Sequence, residues 1–158
     1  MWRYRTFLRT TINALAAAYS NTLNLSGPGS LQINGVELAD PLGTATAVID
    51  ASAMTSNLKL NTAFKTTATD TMTITLGSGT NAVDFGAEGL SADVVIGTTG
   101  AKDTVSLLEA AAATEMTITN IDTVKLTGAG ATKKISAKKM TDVTTIAIYD
   151  AAGGDAGG

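Results

Sequence analysis

Three aspartates, Asp84, Asp93 and Asp103, stand nine and ten residues apart, and each leads into a short apolar segment: Phe85-Gly86, Val94–Ile96 and Val105–Leu107. If those segments stack as successive layers, the carboxylates line one edge. They then present the several hard oxygen ligands that calcium takes. The stretch TGAKDTVSL (99–107) comes nearest to the calcium-binding nonapeptide pattern G-G-x-G-x-D-x-U-x, although it lacks the second glycine. An aspartate before a strand also has a plainer use, which is to close the preceding turn with its side-chain oxygen. Both readings place Asp84, Asp93 and Asp103 at the mouths of strands.

A second group, Lys133, Lys134, Lys138 and Lys139, flanks a short apolar segment around Ile135. Four lysines on one rim suit an anionic cell-surface polysaccharide or the acidic rim of a neighbour. They equally suit edge protection, since lysine discourages unwanted strand pairing. Asn24-Leu25-Ser26 matches a glycosylation sequon, a pattern that arises often by chance and is assigned no role.

A catalytic reading has little to stand on. The chain holds no cysteine and no histidine, which removes thiol nucleophiles, imidazole bases and the usual zinc ligands. Glycoside cleavage needs two carboxylates across one groove. Beyond Tyr19 the aromatics are Phe64, Phe85 and Tyr149, and no arginine follows Arg9, so a sugar-cleaving groove lacks its platforms. No phosphate-binding loop, dinucleotide fingerprint or EF-hand loop is present. The expectation is a protein that is not an enzyme. A net charge of −3 and a pI near 4.8 also argue against nucleic acid as a partner, because phosphate affinity comes from an excess of Lys and Arg.

The elements that would position these residues follow from composition and period. At 158 residues the chain is one domain in size, with 44% hydrophobic residues but only 4% aromatics and 16% charged residues, against a usual charged share of about 25%. The core is therefore aliphatic. Leu8, Ile12, Leu15 and Tyr19 fall at i, i+4, i+7 and i+11, which predicts an amphipathic helix over 7–19. From Asn21 onward the period becomes two. Apolar segments recur at Leu23–Leu25, Leu31–Ile33, Val36–Leu38, Ala47–Ile49, Leu58–Leu60, Met72–Leu76, Val83–Phe85, Val94–Ile96, Val105–Leu107, Met116–Ile118, Val124–Leu126, around Ile135 and at Ile146–Ile148. Turn formers separate them: SGPG (26–29), Asp40-Pro41, GSGTN (77–81), GTTG (97–100) and GAG (128–130).

Short strands at such spacing read as all-β. VIDASAMTSNLKL (48–60) and KISAKKMTDVTTIAI (134–148) share an order of strand, Ser-Ala, Met-Thr and strand. Such drifting self-similarity is what stacked coils produce, because each coil buries its aliphatic side only against the next. The expectation is an all-β, parallel β-solenoid or β-helix-like body over 21–158 behind a basic arm and helix at 1–20, with a β-sandwich as the alternative.

Residues 45–158, through VIDASAMTSNLKL and TNIDTVKLTGAGATKKISAKKMTDVTTIAIYDAAGGDAGG (119–158), resemble the repeats of secreted bacterial surface-layer proteins of the Caulobacter and Campylobacter type. The resemblance implies calcium-dependent β-solenoids, exported without N-terminal cleavage, that tile the cell exterior. The opening WRYRTFLRTT has no counterpart in that family, and the chain is far shorter than a typical lattice protein.

No run reaches the roughly 18 apolar residues of a membrane span, and Thr10, Thr11 and Asn13 interrupt what would be the apolar region of a secretory signal. The arm holds every arginine, so a basic segment leads an acidic body. Trp2, Arg3, Tyr4, Arg5 and Arg9, with the stripe Leu8, Ile12, Leu15 and Tyr19, form the expected interface to a further copy, since Trp, Tyr and Arg most often anchor interfaces. The functional expectation is a self-assembling structural protein of a cell surface or extracellular filament. The alternatives are a virion decoration or fibre protein and an adhesin or glycan-binding module.

Overall fold

A computed structural model describes residues 9–13, 15–17, 22–38, 46–61, 71–86, 93–108, 115–128 and 135–150. Fifteen strands are found there: β1 Arg9–Ile12, β2 Leu15–Ala17, β3 Thr22–Gly27, β4 Ser30–Ile33, β5 Val36–Leu38, β6 Thr46–Met54, β7 Leu58–Asn61, β8 Thr71–Thr75, β9 Ala82–Asp84, β10 Val94–Ile96, β11 Thr104–Leu108, β12 Thr117–Thr119, β13 Thr123–Gly128, β14 Met140–Thr141 and β15 Thr145–Asp150. They form a seven-stranded sheet in the order β1-β4-β7-β9-β11-β13-β15, a six-stranded sheet β14-β12-β10-β8-β6-β3 and the pair β2-β5. Every pairing between them is parallel. The chain passes from one large sheet to the other and back, adding one strand to each on every coil. This is a β-solenoid, and the sandwich alternative falls with it.

Register makes the core a set of columns. Along the seven-stranded sheet Ile12, Ile33, Leu60, Val83, Val105, Val124 and Ile146 stand opposite one another in succession. The six-stranded sheet aligns Leu23, Ile49, Ile74, Val95, Ile118 and Met140 in the same way. Successive side chains of a strand alternate between faces, so TMTIT (71–75) buries Met72 and Ile74 while its threonines lie half-buried on the outer face. Ile33, Ile49, Leu60, Ile74, Val95, Val105, Ile118 and Val124 are shut from solvent. Each such side chain contributes about 1.5–3 kcal/mol by leaving water.

The helix expected over 7–19 is not observed among its described residues. Arg9–Ile12 pairs with Ser30–Ile33, and Leu15–Ala17 pairs with Val36–Leu38. A helical stripe needs a surface to bury on, whereas the sheet edge at β4 offers backbone hydrogen bonds and a column position for Ile12 at once. Thr10, Thr11 and Ile12 are β-branched and favour the extended form. Trp2, Arg3, Tyr4, Arg5, Leu8 and Tyr19 lie outside the described residues, as do Lys133 and Lys134.

Candidate functional site

One corner of the solenoid, where the chain leaves the six-stranded sheet and enters the seven-stranded one, carries a polar ladder that is buried at Asn81 and Asp103, half-buried at Asp122 and exposed at Thr144. Leu58, Asn81, Asp103, Asp122 and Thr144 precede or open strands whose registers stack them coil on coil. Asn81 Oδ1 accepts the Leu58 N–H at 3.0 Å, Asp103 Oδ1 accepts the Asn81 N–H at 2.9 Å, and Asp122 Oδ2 accepts the Asp103 N–H at 3.1 Å. Each side chain thus satisfies the backbone of the coil before it, across 23, 22 and 19 residues of sequence. Thr144 ends the series by donating its hydroxyl to the Asp122 carbonyl at 2.7 Å. Asn81 also donates its amide to the carbonyls of Gly77 and Gly79, both at 3.0 Å, and to Asp103 Oδ1 at 2.9 Å. Turn backbone that would otherwise be orphaned inside the protein is paired in this way.

Asp103 is the strained member. It is fully buried, and its Oδ2 has no well-formed hydrogen bond. Burial pushes its carboxyl above the ordinary aspartate range; the Asn81 backbone and side-chain amides and the Thr98 amide pull the other way, and the charge of Asp122 adds to the rise. Space for the carboxylate depends on Gly97. A Cβ there would lie 2.7 Å from Asp103 Oδ2, 2.9 Å from Ile121 Cδ1, and against the Asn120 carbonyl oxygen closer still.

The three aspartates singled out in the sequence occupy three different stations of the coil. Asp103 belongs to the corner ladder. Asp93 opens β10 on the other sheet, where its Oδ1 accepts the Met72 N–H of the previous coil at 2.8 Å, so it is a capping residue at a second corner. Asp84 closes β9 instead of preceding a strand; it is exposed, stands opposite Ser106, and turns back to accept the Gly86 N–H at 3.0 Å. They do not form one row, and among the described residues no group of three or more acidic side chains could hold a metal ion. Asn81 and Asp122, which the sequence reading passed over, are ladder members. Their signal is the repeated Asn81-Ala82-Val83, Asp103-Thr104-Val105 and Asp122-Thr123-Val124, an Asx residue, a small residue and an inward valine.

The final described coil is open. Ile146 and Ile148 continue the core columns from Val124 and Leu126, yet they are 42% and 40% exposed, and among the described residues no strand lies beyond β15 in its sheet. On the six-stranded sheet, exposed Lys138 and Lys139 lead directly into the edge strand β14. Beside the corner, a groove of about 320 Å³ is lined by Gly100, Asn120, Asp122, Asp142 and Thr144 among others.

Comparison with protein-family models, with curated proteins and with solved structures finds no match to this chain.

Proposed function

We propose that this chain is a structural protein that assembles with itself on the outside of a cell. The observation that carries the reading is the open final described coil, where Ile146 and Ile148 hold core positions with no covering layer among the described residues. A solenoid leaves its end coil incomplete, and solubility requires either a polar cap or a further coil upon it. The buried Asn81, Asp93 and Asp103 side chains and the half-buried Asp122 are turned to backbone amides of neighbouring coils, which is an architectural use. The likeness of residues 45–158 to surface-layer repeats supports placement at a cell surface, with calcium and anionic polysaccharide as proposed partners of the assembled form.

Light scattering of the purified full chain over a range of concentrations, with and without calcium, tests this. Growth into filaments or sheets is the expected result. A fixed small oligomer points instead to a virion decoration or fibre protein, and a monomer at every concentration overturns the reading.

A further inference from the structure

We infer that the strand edge of β15 receives β1 of a second copy, in register and in parallel, so that copies add head to tail along the solenoid axis. This rests on the self-assembly reading and specifies its contact. β1 and β15 are the two ends of the same seven-stranded parallel sheet. A copy translated along the axis therefore brings to β15 a strand of the right direction, with the complementary half of a hydrogen-bond ladder.

The side chains agree with that placement. Extending the existing register by one layer sets Thr145 against Thr11 and Ile146 against Ile12, which is what each column already stacks within the chain. Ile12 is only partly buried and Ile146 is 42% exposed, so the contact covers both. The same register carries Thr10 to Thr144, which keeps the pairing continuous from Thr144 to Ile146.

The edges also differ in how they are guarded. Lysine on an edge discourages pairing. Lys138 and Lys139 precede β14, whereas TIAIYD in β15 carries no charge before Asp150. The guarded edge belongs to the six-stranded sheet and the unguarded one to the sheet that ends in β15. A second copy of β1 sets Ile12 on the exposed Ile146.

The chain has no cysteine, which permits a direct test by disulfide trapping in the full-length protein. Paired residues on neighbouring strands lie about 4.8 Å apart, inside the Cα separation a disulfide accepts. Thr11 and Thr145 are both exposed. Mixing a Thr11→Cys chain with a Thr145→Cys chain under mild oxidation is expected to give a covalent dimer, and a chain carrying both substitutions a ladder of covalent multimers. Thr123→Cys, an interior strand position of the same column, is expected not to trap Thr11→Cys. Trapping of Thr145→Cys with itself alone, or no mixed dimer in chains that light scattering shows to be assembled, overturns the head-to-tail contact and leaves self-assembly standing. Absence of any assembly overturns both.

Discussion

Asp103 accepts two hydrogen bonds from Asn81 on a single carboxylate oxygen, one from the backbone N–H and one from the side-chain amide, each at 2.9 Å. Its other oxygen, facing Gly97, has no such partner. The ladder is therefore complete along its length and deficient at one atom.

The buried charge makes Asp103→Asn a mildly stabilising change at neutral pH. The amide keeps Oδ1 for Asn81 and removes a charge that burial and Asp122 disfavour, while its NH2 takes the unpartnered place of Oδ2, so the gain is about 1 kcal/mol or less. Urea unfolding at pH 7 should show a gain within that range, and a loss would mean that the carboxylate is needed at the corner.

The same residue sets an unusual pH dependence. A carboxyl raised in the folded state binds its proton more tightly there than in the unfolded chain, so its contribution falls as pH rises from 3.8 through its folded value and is constant beyond. Exposed Asp50, held below its ordinary range by the Ser52 side chain and the Ser52 N–H, acts in the opposite sense and loses its contribution as pH falls. Subtracting the Asp103→Asn stability profile from that of the parent isolates the first effect. The parent should gain relative to the variant as pH is lowered toward 3.8, and a flat difference refutes the assignment.

Asn81→Ala removes the acceptor for the Leu58 N–H and leaves the Asp103 side chain one donor short. The Gly77 and Gly79 carbonyls lose the same amide, while Asp103 Oδ1 keeps the Asn81 N–H, and a loss of about 2–4 kcal/mol is expected in chemical denaturation.

Gly97→Ala tests the close approach of adjacent coils. The added methyl would meet the Asn120 carbonyl oxygen, Asp103 Oδ2 and Ile121 Cδ1 together. Backbone cannot yield as a flexible side chain does, so overpacking here should cost about 1–3 kcal/mol. A thermal midpoint equal to the parent's would show that the coils are farther apart than described.

Ile148→Lys places a charge on the open coil. At 40% exposure the residue is only partly packed by its own chain, so unfolding of the isolated chain should move by about 1 kcal/mol. Assembly measured by light scattering should be lost. Assembly unchanged by this substitution would remove the end coil from consideration as the contact.

Much of the architecture was readable because period two and burial coincide. Val36–Leu38 and Val94–Ile96 are strands with the boundaries that their apolar residues mark, and TVSLL (104–108) alternates as written. The arm was misread because Leu8, Ile12, Leu15 and Tyr19 satisfy a helical spacing, while the pairing of Ile12 with Ile33 depends on a strand 21 residues away that spacing alone does not reveal. β14 escaped notice since Met140–Thr141 is short and follows two lysines. The corner ladder was half visible. Aspartate at a strand mouth suggested capping, but the capped amide belongs to another coil, as Asn81 and Asp103 show, and Asp84 proved to end its strand.

The parallel stacking of β1 through β15 also decides how the molecule bears load. Bonds between layers run along the long axis and the covalent chain runs across it, so tension applied end to end falls on hydrogen bonds and packed methyl groups, whereas sideways stretching is resisted by peptide backbone. A rod made this way is toughest across its girth, and it parts under axial pull one layer at a time.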